Sequence, residues 1–163
     1  MYNKKIFVVV IFIFIIVAMI LMLHRNQKIS SKIRSVYNKT EQTIFEVNLS
    51  DFTDFEWDNV IIYTYPITQK ELSKITGINY TKEPDLQSGM IFLKNKQIVY
   101  EEVFENDFES PSCFIIYPFE DINSDNKVKN FLKDEAVFRG EKIYYNGENR
   151  YILKPLLNFK INR

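Results

Sequence analysis

The chain is poor in the residues that most active-site chemistry requires. Its 163 residues include one cysteine, Cys113, and one histidine, His24. A lone cysteine excludes an internal disulfide, and one His with one Cys cannot build a zinc site. Glycine is nearly as scarce, and Gly77, Gly89, Gly140 and Gly147 all read as turn residues. That leaves no Gly-rich loop to cradle a phosphate. Ser110 and Ser112 lack a Gly-x-Ser-x-Gly setting,. Cys113 lies in Pro-Ser-Cys-Phe-Ile-Ile-Tyr, with no histidine in the folded domain to act as its base. It reads as a small buried hydrophobe rather than a nucleophile.

Acidic residues are absent from the first 34 positions, which hold Lys4, Lys5, Arg25, Lys28, Lys32 and Arg34. The balance reverses afterwards: residues 35–163 carry 15 Lys and Arg against 21 Asp and Glu, so the overall net charge is zero. An acidic domain argues against nucleic acid, whose phosphates demand a basic footprint.

The longest feature present is an unbroken apolar run, Ile6 to Leu23, with Lys4 and Lys5 before it and His24, Arg25 and Lys28 after it. As a helix, eighteen residues reach about 27 Å, close to the hydrocarbon thickness of a bilayer. The run exceeds the usual h-region of a cleaved signal, and neither a small-x-small site nor a lipobox cysteine follows it,. The expectation is a transmembrane signal-anchor over residues 1–24, single-pass, with the membrane as partner through residues 6–23. A bare count of Lys and Arg would place the domain in the cytoplasm. The export-like arrangement, a short basic tail ahead of an apolar run, places it outside the cell membrane, and that topology is preferred.

Residues 25–48 contain no Pro or Gly, and Ile29, Ile33, Val36 and Tyr37 make a one-sided helical stripe,. This predicts a juxtamembrane helix or stalk. The domain proper is expected over residues 49–163. Val60 to Tyr65 is β-branched and aromatic throughout, so it predicts a central strand. Thr68 and Glu71 form a capping-box pattern and Gly77 a stop, which bound a helix over 69–76,. Residues 83–89 read as a loop. Met90–Lys94 and Gln97–Phe104 read as a hairpin about Asn95-Lys96, and Cys113–Tyr117 as a buried strand. Ser124 or Asp125 can cap a helix containing Val128, Phe131 and Leu132. Short strands follow at 136–139, 142–145 and 150–154, with turns at Gly140 and Asn146-Gly147,. The order lacks a regular βαβ repeat. It predicts an α+β domain with a mainly antiparallel sheet and two short helices.

Three groups invite a site. Asp54, Glu56 and Asp58 alternate, and on extended chain would share one side, as ligands of a hard cation do,. The competing reading is an acidic, solvated lead into the strand, and no metal or other cofactor is expected. Trp57, the sole tryptophan, adjoins the central strand and reads as core. Tyr144, Tyr145, Arg150 and Tyr151 flank the Asn-Gly turn, where aromatic rings and a stacking guanidinium suit binding,. These four are the candidate binding residues.

The segment Phe55-Glu-Trp-Asp-Asn-Val-Ile-Ile-Tyr-Thr-Tyr-Pro66, the capped helix ending at Gly77 and the hairpin Phe-Leu-Lys-Asn-Lys-Gln-Ile-Val-Tyr together resemble small bacterial envelope domains. These are uncharacterised lipoprotein-like or membrane-anchored proteins with a Phe-x-Trp-Asp strand motif. The likeness covers residues 50–104 and carries no catalytic residue. The chain departs from the pattern at Tyr65-Pro66 and in lacking a lipobox cysteine. The resemblance implies an exported location and allows an immunity-type role. The reading is therefore a membrane-anchored, extracytoplasmic, non-enzymatic domain that binds a protein partner. Alternatives are a structural accessory subunit of a membrane complex and an envelope hydrolase.

Overall fold

The structure is a computed structural model that describes residue 12 and residues 27–84, 87–105, 113–121 and 125–156. Within these, eight strands run in order: β1 (Ile44–Asn48), β2 (Asn59–Tyr63), β3 (Gln87–Lys94), β4 (Gln97–Glu105), β5 (Phe114–Ile116), β6 (Val128–Leu132), β7 (Val137–Tyr145) and β8 (Glu148–Pro155). Two α-helices, α1 (Ile29–Tyr37) and α2 (Gln69–Thr76), and a 3-10 turn at Leu49–Phe52 complete the set. The strands form two sheets of four, ordered β1-β7-β8-β5 (sheet A) and β4-β3-β2-β6 (sheet B). Every pairing is antiparallel except β5 beside β8.

Alternation of side chains explains how the sheets pack. In β2, Val60 and Ile62 face one way and Ile61 and Tyr63 the other, and all four are fully buried,. The first pair joins Phe92 and Met90 of β3 in a core shared with Phe45, Val47, Phe138, Tyr151 and Leu153 of sheet A. The second pair meets Leu72 of α2 together with Ile91 and Leu93. Sheet B is thus covered on both faces, by sheet A and by α2. Sheet A is covered on one, and among the described residues no element packs on its outer face. The expected central strand is β2, between β3 and β6. Trp57 lies in the shared core, edge-on to Phe92, and its indole N–H donates to Thr53 Oγ1 at 2.9 Å.

Helix α2 begins and ends where its sequence signals lie. The Thr68 hydroxyl accepts from the Glu71 N–H, the Glu71 carboxylate accepts from the Thr68 N–H at 2.9 Å, and Gly77 closes the helix at φ +70°,. Helix α1 is built differently. Its N-cap residue, Lys28, offers no side-chain cap. Instead Glu102, 3% exposed on β4, accepts from Ile29 N–H at 2.8 Å and Ser30 N–H at 3.4 Å, and from the Ser30 hydroxyl. Tyr100 donates its hydroxyl to the same carboxylate at 3.1 Å. At the other end, Lys142 of β7 donates its ammonium to the carbonyls of Tyr37, at 3.0 Å, and Thr40. Opposite charges therefore stand at the two ends of α1, each with the sign the helix dipole favours. Ile29 and Ile33 are buried in the shared core, and Tyr37 stacks on Phe45 with ring centroids 3.8 Å apart.

Several expectations are corrected. The architecture is mostly β, a two-sheet sandwich with two helices, and not the expected α+β domain. The main cause is residues 128–132, expected as helix. They form β6, which satisfies the second edge of β2, with Phe131 in the shared core and Val128 toward α2. Residues 29–48 belong to the sandwich through α1 and β1 rather than standing off it as a stalk. Gly140 is not a turn. It lies mid-strand in a continuous β7, where an added Cβ would fall 2.1 Å from Phe45 Cε2. Gly89 lies similarly in β3, under the Tyr63 hydroxyl.

Among the described residues no helix is long and apolar enough to cross a membrane. The longest, α1, has nine residues and reaches about 14 Å, under half a bilayer core. The transmembrane signal-anchor expectation is corrected accordingly. The run 6–23 on which it was placed lies outside the described residues, apart from Phe12.

Removing the remote cap should separate α1 from an ordinary helix end. Glu102→Ala leaves buried donors unpaired and is expected to cost about 2–3 kcal/mol. Thr68→Ala, at an exposed cap, should cost about 1 kcal/mol. Urea unfolding of both variants measures the difference, and equal losses would show that α1 does not depend on Glu102.

Candidate functional site

The β7–β8 hairpin closes in a two-residue turn, Asn146-Gly147, at φ +51° and +87°. Both residue types tolerate this conformation, whose twist matches that of paired strands. Near the turn the hairpin extends past the shared core. Tyr144 is 75% exposed, Tyr145 51% and Ile143 42%. Consecutive strand residues face opposite ways, so Tyr144 and Tyr145 present rings on opposite faces of the same tip. The Arg150 guanidinium lies over the Tyr145 ring, 4.3 Å from its centroid, which fixes one ring by cation–π contact,. Tyr151 departs from this group. It is 1% exposed, packs in the shared core near Phe45, and donates its hydroxyl to Asn38 Oδ1 at 3.2 Å. Its position opposite Lys142 turns it inward. The tip therefore consists of Tyr144, Tyr145 and Arg150, joined by Ile143.

Beside the tip, a cleft of about 610 Å³ opens between α1 and the adjoining ends of β5 and β8. One wall is the polar stripe of α1, Ser31, Arg34, Ser35 and Asn38, whose spacing of three and four residues puts them on one face,. The other wall carries Cys113 and Glu148, with Asn149 and Tyr151 at the base. Asn149 Nδ2 donates to Asn38 Oδ1 at 2.8 Å and ties the two walls together. The Cys113 thiol donates to Glu148 Oε2 at 3.1 Å. That carboxylate, with some burial, holds the thiol above its ordinary pKa. A reactive cysteine needs the opposite shift. Cys113 is half-buried in the cleft wall rather than sealed in the core.

The acidic triplet does not converge. Asp54 pairs with Lys32 at 3.4 Å. Asp58 accepts from Asn95 N–H at 2.7 Å and from Lys94 Nζ at 2.8 Å, which secures the β3–β4 turn. Glu56 lies 4.0 Å from the same Lys94. Among the described residues no group of His, Cys, Asp and Glu is placed to hold a metal ion. On the outer face of sheet B, Tyr80 donates to Glu101, which also pairs with Lys82. Burial and that carboxylate push the Tyr80 phenol up, so it serves as a neutral donor locking the segment after α2 onto β4.

Comparison with family models, with curated proteins and with solved structures finds no match to this chain. The tip was visible beforehand from Asn-Gly between aromatic runs. The cleft was not. A polar helix face reads the same whether it meets water or a second wall, and its second wall lies 75 or more positions away.

The Asn95 N–H, followed by Lys94, holds the Asp58 carboxyl below its ordinary range. A lowered native pKa adds stability above the unfolded value, and that stability is lost as pH falls through the native one. Asp58→Asn should therefore lower the melting temperature at neutral pH, and the gap to wild type should close on acidification below the ordinary Asp range. A gap independent of pH would remove Asp58 from the acid limb.

Proposed function

We propose that this chain is an extracytoplasmic protein-binding domain whose contact surface is the tip of the β7–β8 hairpin. The observation that carries the reading is the exposure of three successive large side chains, Ile143, Tyr144 and Tyr145. Large apolar groups left in series on a surface have their solvation cost removed when a partner covers them. Tyrosine and arginine are also the residue types that concentrate binding energy. The tip is pre-organised by its two-residue turn and by the Arg150–Tyr145 stack, so little ordering entropy is lost on contact. The excess of acids over bases in residues 35–163 favours encounter with a basic partner and makes association salt-sensitive. An immunity-type protein, which neutralises a partner by occupying it, is one form of this reading.

The location outside the cytoplasm rests on the basic, apolar and acid-free character of residues 1–34. The favoured role is binding rather than catalysis. Among the described residues the one thiol is held above its ordinary pKa, and the acids around β2 are occupied in structural pairs.

Capture of a partner from an envelope extract by the full-length chain tests the reading. Tyr144→Ala or Tyr145→Ala should weaken capture by more than about 1 kcal/mol and leave the melting temperature unchanged. Tyr151→Ala should instead lower stability by about 3 kcal/mol or more, as removal of a core aromatic does. If both tip variants capture as wild type does, the hairpin is not the contact surface.

Location has its own test. Glu41 is exposed and distant in sequence from the tip. In a Cys113→Ser background, Glu41→Cys should react with a membrane-impermeant thiol reagent in intact cells. Reaction only after lysis would place the domain in the cytoplasm.

A further inference from the structure

The cleft between α1 and β8 has a chemistry separate from the tip. It offers one cation and one acid on opposite walls, Arg34 on the helix and Glu148 on the strand. Among the described residues neither has an ion-pair partner. Both sites are exposed. Glu148 receives the Cys113 thiol on Oε2, and its other oxygen accepts from no described donor. Arg34 presents a planar fork of donors, matched to a carboxylate. Arg34 stands one helical turn, about 6 Å, from Asn38, and Asn38 is tied to Asn149, the neighbour of Glu148. Among the described residues no ion pair joins the two charges across the cleft.

The base of the cleft adds a second requirement. Asn38 Oδ1 accepts from both Asn149 and Tyr151, which fixes the orientation of its amide and leaves its Nδ2 hydrogens as donors. Asn149 spends a donor on that contact and keeps its carbonyl oxygen as an acceptor. A donor and an acceptor side by side match the C=O and N–H of a peptide group. The volume, about 610 Å³, falls within the range of small-ligand clefts and exceeds what a single amino acid fills.

We infer that this cleft binds a short zwitterionic peptide, its carboxylate on Arg34, its ammonium on Glu148 and its backbone amide on the Asn38–Asn149 pair. A ligand with only one charge would leave the opposite wall's charge unmatched. A neutral ligand would forgo both charge-assisted contacts, which are the stronger kind of hydrogen bond. The site does not require the tip to be a protein-contact surface, so the two readings stand or fall separately.

Four forms of one tripeptide test the inference on the full-length chain by isothermal titration. These are Ala-Ala-Ala with free ends, its N-acetyl form, its C-terminal amide, and the form blocked at both ends. The free form should bind, and blocking either end should weaken binding by about tenfold or more. Arg34→Ala should abolish the preference for a free carboxylate over the amide while keeping the preference for a free amine. Glu148→Gln should do the reverse. Both substitutions are at exposed positions, and unchanged melting curves confirm that the fold survives. Equal affinity for all four forms would overturn the inference. So would no heat from the free form up to about 10 mM, or specificity that neither variant alters.

Discussion

Helix α1 is held by opposite charges at its two ends, and each charge comes from a different sheet. Glu102 on β4 of sheet B receives the first N–H groups of the helix, and Lys142 on β7 of sheet A donates to its last carbonyl, that of Tyr37. A helix of nine residues has little stability of its own. It is ordered here because both sheets grip it and because Ile29 and Ile33 enter the core between them. The dependence runs the other way too. Burial of Glu102 is tolerable only because the helix N-terminus, Ser30 and Tyr100 satisfy its oxygens,. Withdraw the helix and sheet B is left with a carboxylate facing an apolar interior. The cleft inherits this arrangement, since its helical wall is the outward face of the segment that the clamp positions.

Which parts of the fold could be read from the chain follows from the range of the interactions that define them. Helix α2 was legible to the residue because both its stops, Thr68 with Glu71 and Gly77, are local. The turns at Asn95-Lys96 and Asn146-Gly147 were legible for the same reason, as both place positive φ on residues within the turn. Strand β2 showed itself because burial on both faces removes polar residues from the sequence. The start of α1 could not be placed, because its cap lies on a residue 73 positions away. Residues 128–132 read as helix because Val128, Phe131 and Leu132 fit a helical spacing. The vacant edge of β2, which decides the matter, is a tertiary fact. Gly140 misled for a related reason. Scarce glycine invites a turn assignment, and only the Phe45 ring packed over it reveals a close approach instead.

The same distinction separates the tip from the cleft. The tip residues adjoin a local turn signal, and two of the three candidate tyrosines, with Arg150, lie at the hairpin end. Tyr151 failed because inward or outward facing depends on parity along β8, which the turn alone does not set until the pairing with β7 is known. The cleft needs residues from three separated segments, 31–38, 113 and 148–151, brought together by packing of α1 on sheet A. No periodicity links them.

Tip and cleft nonetheless share a strand pair. Tyr144 is the register partner of Asn149, and Tyr145 of Glu148. A residue of the tip is therefore opposite each of two residues that line the cleft. The register between them is set by continuous pairing from Phe138–Pro155 to the turn. Glu148 and Asn149 are joined to Tyr145 and Tyr144 by cross-strand pairing and, along the chain, by the two-residue turn Asn146-Gly147. A group in the cleft and a partner at the tip would thus meet residues paired across one hairpin. Coupling between them needs only a differential contact at one of the two places, and by linkage it would be felt equally at the other.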